Sequence, residues 1–179
     1  MSQKIYEFQK DLSTSQQEAS DADWYSIYEK MFVDFNNMGF VKDKETQAQQ
    51  IDRVILLNNG AEINVEEKVD YYNNQRVALE LVADVEHHKL GWMEKPSNSQ
   101  WLAYKKQALG QCLFLPMRAL KEAYKANAGK WQALAANEQE DYKFGRAQNK
   151  GYSSISLLVP IKELLGTVRG AKLITYKVV

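Results

Sequence analysis

The apolar residues Trp24, Ile27, Tyr28, Met31 and Phe32 recur three and four positions apart, a spacing that puts their side chains on one face of a helix. An amphipathic helix is therefore expected from Asp23, stopped by Asn36-Asn37-Met38-Gly39. The pattern then changes. Ile51–Leu57, Glu62–Tyr71 and Val77–Val85 read as strands divided by the turn residues Asn58-Asn59-Gly60 and Asn73-Asn74, and such close spacing predicts an antiparallel meander. Helical spacing returns over Ser99–Gln107, and Gln111–Leu115 is a short apolar strand running into Pro116. Arg118–Ala126 and Gly129–Asn137 are expected helices, Ser153–Val159 a strand ended by Pro160, Ile161–Leu165 a helical turn closed by Gly166, and Lys172–Val179 an edge strand. Helix, three strands, helix, strand and then additions make an α/β sheet of mixed direction.

Composition adds bounds. The 179 residues, 45% hydrophobic and 26% charged, suffice for one domain with a sizeable core, and no repeat, low-complexity tract or Pro/Gly-rich linker divides them. Residues 1–179 are read as a single domain with a polar lead-in over residues 1–20. No apolar run approaches the ~20 residues that span a bilayer, and the first ten residues lack a secretory pattern. No membrane partner and a cytoplasmic location are expected. The single cysteine, Cys112, excludes an intrachain disulfide and a cysteine-rich metal site, and reads as a small buried hydrophobe.

The formal net charge is zero, but residues 1–104 hold 10 Lys and Arg against 18 Asp and Glu, whereas residues 105–179 hold 13 against 5. An acidic cluster that holds a metal, beside a basic surface that holds phosphates, gives this asymmetry. Chance segregation of solvated faces gives it too.

Chemistry concentrates around the second strand, in Val65-Glu66-Glu67-Lys68. Side chains alternate across a strand, so Glu66 and Lys68 share one face while Val65 and Glu67 share the other. Asp52 opens the preceding strand, and a hairpin through Asn59-Gly60 brings it across from Glu66. Two carboxylates facing one lysine suit phosphodiester hydrolysis: Mg²⁺ prefers oxygen ligands, and an ammonium beside it stabilises charge on the phosphate. The Glu67 main-chain carbonyl is a candidate further ligand. Glu-Glu-Lys is a common tripeptide, and its weight comes from this setting.

The arrangement resembles the PD-(D/E)XK nuclease superfamily of restriction-endonuclease-like proteins, over roughly Asp23 to Leu120. The resemblance implies a mixed sheet flanked by helices with core order αβββαβ, here followed by C-terminal additions. It also implies Mg²⁺ or Mn²⁺ as cofactor, with Asp52, Glu66 and the Glu67 carbonyl as ligands and Lys68 as catalytic lysine. Asp43 and Gln47 upstream of Asp52, and Glu80 on the third strand, match a pattern of bacterial and phage members. Ile51 replaces the family proline and Gln50 the glycine often found just upstream. Glu29, with Asp34 second, is the candidate first-helix acid. Gln100-Trp101-Leu102-Ala103-Tyr104 resembles a Gln-xxx-Tyr helix motif of related nucleases, with Tyr104 near substrate or simply core.

His87-His88 is read as a surface pair, and Trp92, Trp101 and Trp131 as core residues sooner than stacking platforms. Lys143, Arg146 and Lys150, near Gly145 and Gly151, form a basic loop suited to phosphate or merely solvated. The expected function is a divalent-metal nuclease acting on DNA, with a homodimer as a common assembly among small members. The alternative is a catalytically inactive module of the same fold that binds nucleic acid or a partner protein.

Overall fold

The computed structural model describes residues 21–41, 44–149 and 151–177, so the expected lead-in, Asp43, Lys150 and the last two residues of the edge strand lie outside them. Helix α1 covers residues 21–31. It is followed by β1 (Phe35–Phe40), α2 (Lys44–Ala48), β2 (Arg53–Leu57), β3 (Glu62–Asp70), β4 (Arg76–Asp84), β5 (Lys89–Leu90), β6 (Trp101–Lys106) and β7 (Gln111–Pro116). The long α3 (Met117–Ala136), β8 (Lys143–Asn149), β9 (Tyr152–Pro160), α4 (Ile161–Thr167) and β10 (Lys172–Thr175) complete the described chain.

The fold is mixed α/β. Six strands pair in the order β1-β2-β3-β6-β7-β10, with β3 and β6 parallel and the other neighbours antiparallel. A second, antiparallel sheet runs β5-β4-β9-β8. No described helix is long and apolar enough to cross a membrane.

Several expected elements are displaced, each for a physical reason. The segment expected as a helix over Ser99–Gln107 is the strand β6, buried along nearly all its length. A central strand covered on both faces loses the period-2 signal, and Lys105 and Lys106 mimic polar helix positions although both are buried. Their ammonium groups meet Asp23 at 2.8 Å and Asp70 at 2.6 Å. The third strand of the expected meander, here β4, leaves β3 and pairs with β9 in the other sheet. The residues expected to stop α1 form the edge strand β1, bulged between Phe35 and Asn37. The two helices expected after Pro116 are one, running through Gly129. The expected basic loop around Arg146 is β8, one arm of a hairpin.

Alternation along the strands sorts the core onto both faces of the six-stranded sheet. Val65, Ala103, Cys112 and Phe114 pack under Trp24, Ile27, Tyr28 and Met31 of α1. Leu102, Leu113 and Leu115 face the other way and share a cluster with Val77 and Leu79 of β4, Leu157 and Val159 of β9, and Trp131 of α3. Cys112 is a fully buried free thiol, Trp92 and Trp131 are core, and His87 and His88 are exposed, as expected.

Gly91 ties the β5 end to β4. Its N–H donates to the Leu81 carbonyl at 2.8 Å, and a Cβ there would overlap the Glu80 carbonyl and lie 2.7 Å from the Leu81 carbonyl carbon. Backbone cannot swing aside as a side chain does. Gly91→Ala is expected to destabilise the protein by about 1–3 kcal/mol, read as a lower midpoint in urea denaturation with an unchanged slope. An unchanged midpoint would contradict this packing.

Candidate metal and phosphodiester site

The site is built where β2 begins. Register places Arg53 opposite Val65, and one step earlier the Asp52 N–H donates to the Val65 carbonyl at 3.0 Å. The ladder stops there. The Asp52 carboxylate takes over from the missing strand backbone, and its Oδ2 accepts the Glu67 N–H at 2.9 Å. Val41 holds Asp52 from the other side, its N–H donating to the Asp52 carbonyl at 2.9 Å, and Gln47 Nε2 donates to the Val41 carbonyl at 2.8 Å. Gln47 thus acts on Asp52 through Val41, as a positioning residue.

Glu66 and Lys68 project from one face of β3, opposite Leu102 and Tyr104 of the parallel strand β6. The Glu66 carboxylate is buried and accepts a hydrogen bond from the Lys68 ammonium, whose side chain is 34% exposed. Burial pushes the Glu66 carboxyl up; Lys68 pulls it down, and the adjoining Asp52 carboxylate pushes it up again by charge and direct contact. A cation beside the Glu66 carboxylate would offset both its burial and the neighbouring Asp52 charge.

Glu67 faces the opposite way, as strand parity requires. Its carboxylate takes a forked pair from Arg53, Nε at 2.9 Å and a terminal nitrogen at 3.2 Å, and a hydrogen bond from the Tyr28 hydroxyl at 2.7 Å. Arg53 also reaches Asp21 at 3.1 Å and lies over the Phe40 ring. The Glu67 side chain is therefore not available as a ligand. Its carbonyl is different: a strand residue sends N–H and C=O to the same edge, so the carbonyl is aimed past the end of β2 on the side of Asp52.

These oxygens fit Mg²⁺, which is held by one or two carboxylates with water and phosphate oxygens completing its octahedron. Among the described residues no group of three or more histidine, cysteine or carboxylate side chains is arranged to hold an ion. A cation here would rest on Asp52, Glu66, the Glu67 carbonyl and water.

Other candidates separate from this group. Glu80 lies on β4, in the other sheet, and does not complete a cluster of acids with Asp52 and Glu66. Glu29 is exposed on α1, the helix that covers the Glu67 face, so the sheet stands between it and Glu66. Tyr104 sits on a strand, not a helix, and is buried; its hydroxyl donates to Asp70 at 3.2 Å and accepts the Ala78 N–H at 3.1 Å. Lys143 pairs with Glu138 at 3.5 Å, and Arg146 donates to Ser153 Oγ at 2.9 Å and lines the cleft that opens at the end of β3.

Three residues that the sequence reading passed over shape the site. Arg53 and Tyr28 anchor Glu67 from behind, and alternation from Asp52 already put Arg53 on the Glu67 face. Lys121 of α3 donates to the Met93 carbonyl at 3.1 Å and to the Lys95 carbonyl, clamping the segment after β5. Burial lowers its pKa, while Glu94 and Glu66 hold it up, so it lies within the field of the site. Gln50 adopts φ of 62°, in the left-handed region that glycine enters without strain. That is the position where the resembling family often has glycine. Neither the chain nor its fold has a significant match among known family models, curated proteins or solved structures.

Proposed function

We propose that this chain is a divalent-metal-dependent nuclease of PD-(D/E)XK type, hydrolysing phosphodiester bonds in DNA at Asp52, Glu66 and Lys68. The observation that carries the reading is the meeting of the Asp52 and Glu66 carboxylates beside the Lys68 ammonium, across the two arms of the β2–β3 hairpin. The strand order supports it in part. The three strands expected after the first helix are β2, β3 and β4, of which β4 joins the other sheet. Helix α1, the antiparallel strands β1, β2 and β3 (with α2 between the first two) and β6 parallel to β3 still give a helix, three paired strands and a returning strand. The crossover is made by β4 and β5, where the expected order has a helix.

Bound Mg²⁺ would supply a water of lowered pKa and neutralise charge on the phosphate. Asp52 is fixed as a ligand by its bond to the Glu67 N–H, and the Glu67 carbonyl is fixed by Arg53 and Tyr28 behind the strand. Lys68 hangs from Glu66 at the solvent side, where its ammonium donates to a non-bridging phosphate oxygen and holds the attacking water in line.

The pH dependence follows from Glu66. A carboxylate whose folded pKa is raised stabilises the fold fully below its unfolded pKa, and that contribution fades as pH rises through the folded value. The metal-free protein is therefore expected to lose stability as the pH rises from mildly acid to neutral. Added Mg²⁺ is expected to restore it by mass action, so the melting temperature rises with Mg²⁺ more at pH 7 than at pH 5. An equal rise at both pH values would count against Glu66 as a ligand.

The binding-only module is favoured by one observation: the Lys68 ammonium is engaged by Glu66 and can serve as a plain ion pair. Cleavage of single- and double-stranded DNA with Mg²⁺ or Mn²⁺, lost in Asp52→Asn, separates the two readings. Nucleic acid bound but never cut would favour the module.

A further inference from the structure

We infer that the cleft between the end of β3 and the four-stranded sheet is a binding site for an unpaired nucleic-acid strand, its bases stacked on Tyr71 and Tyr72 and its phosphates held by Arg76 and Arg146. The inference rests on reading Asp52, Glu66 and Lys68 as a phosphodiester site, and it names the form of the substrate.

The cleft has a volume of about 420 Å³ and opens where β3 runs out. Glu66, Lys68 and Asp70 alternate onto one face of that strand, and at ~3.3 Å per residue Asp70 follows Lys68 by roughly 7 Å. Tyr104, the register partner of Lys68, lines the cleft as well. A strand of nucleic acid lying in it therefore passes the ammonium within about one nucleotide.

Its charge suits phosphate. Asp70 is the acid in the lining, and it is neutralised by Lys106 at 2.6 Å and by the Tyr104 hydroxyl. Arg76 and Arg146 have no carboxylate within ion-pair distance among the described residues, which leaves the cleft with cationic groups to spare. Arg146 is exposed and oriented by Ser153. Guanidinium groups held this way match phosphate oxygens in pairs.

Its aromatic groups suit bases. Tyr71 and Tyr72 are 75% and 76% exposed, although a ring on a soluble surface gains by being covered. Bases inside a duplex are stacked on one another and show only their edges, so a tyrosine ring can stack only on a base released from pairing. Two adjacent rings at the mouth of a cationic cleft therefore select an unpaired strand.

The test uses the whole protein in EDTA, so that no cleavage occurs, with fluorescein-labelled oligothymidylate, oligouridylate and a closed DNA hairpin read by fluorescence anisotropy. The single strand is expected to bind at least about tenfold more tightly than the hairpin, with the thymidine and uridine arms telling DNA from RNA. Tyr71→Ala with Tyr72→Ala is expected to weaken single-strand binding by about tenfold or more, since stacking on one ring is worth that much. Tyr71→Phe with Tyr72→Phe keeps the rings and is expected to bind as wild type, which separates stacking from a folding defect. Arg76→Gln with Arg146→Gln is expected to flatten the salt dependence. Equal binding of hairpin and single strand, or an alanine pair that binds as wild type, would overturn the inference. Single-strand binding lost in the alanine pair, by a protein that cuts nothing with Mg²⁺, would sustain the cleft and sink the nuclease reading. Cleavage with the alanine pair unaffected would do the reverse.

Discussion

Lys68→Ala is expected to lower single-turnover DNA cleavage by about 10²–10³-fold, the usual cost of removing one preorganised donor from a developing charge. The Lys68 side chain is a third exposed and its ammonium is anchored at one point, so the loss should appear in chemistry and not in global folding. Ligand binding should survive, because Asp52, Glu66 and the Glu67 carbonyl remain in place. The signature is therefore a split: Mn²⁺ still binds, and cleavage is gone. Lys68→Arg keeps the charge but changes its geometry, and partial recovery is expected. A Lys68→Ala protein that cuts at the wild-type rate would remove lysine from the mechanism.

The second large effect is on stability. Arg53 is 3% exposed, and its partner Glu67 is 9% exposed. Burial raises the Glu67 carboxyl even against Arg53 and Tyr28, so the carboxylate depends on both. Arg53→Met strands that charge, and breaking a buried pair from one side costs about 3–5 kcal/mol. Against a total of roughly 5–15 kcal/mol this is a large share, and a fall of roughly 10 °C in melting temperature is expected. Arg53→Met combined with Glu67→Leu removes both charges and is expected to recover most of the loss, since a well-packed apolar pair often equals a buried ion pair. If Arg53→Met alone melted with the wild type, the support behind the Glu67 carbonyl would be illusory.

The residues that these variants test were legible in the sequence to different degrees. Strand parity put Glu66 with Lys68 and turned Glu67 away, and the hairpin at Asn59-Gly60 put Asp52 within reach; these are local rules, and they held. The places of Glu80 and Glu29 depend on which strands pair and which face a helix covers. β4 leaves for β9, sixty and more residues downstream in sequence, and no local pattern announces that partner. β6 failed as a helix because its two buried lysines erase the alternation of a half-buried strand. Arg53 was visible as a residue but not as an anchor, since Asp21, which it pairs with, and Tyr28, which shares Glu67 with it, come from a helix packed on the sheet. The same α1 also explains Lys105, which is buried against Asp23 and faces the rings of Trp24 and Tyr176.

The most direct measurement is anomalous diffraction from a crystal soaked in Mn²⁺. One strong peak is expected at about 2.0–2.3 Å from carboxylate oxygens of both Asp52 and Glu66 and from the Glu67 carbonyl, with the Lys68 ammonium beside it. A map with no peak between Asp52 and Glu66, at Mn²⁺ concentrations that occupy other carboxylates on the surface, would contradict it.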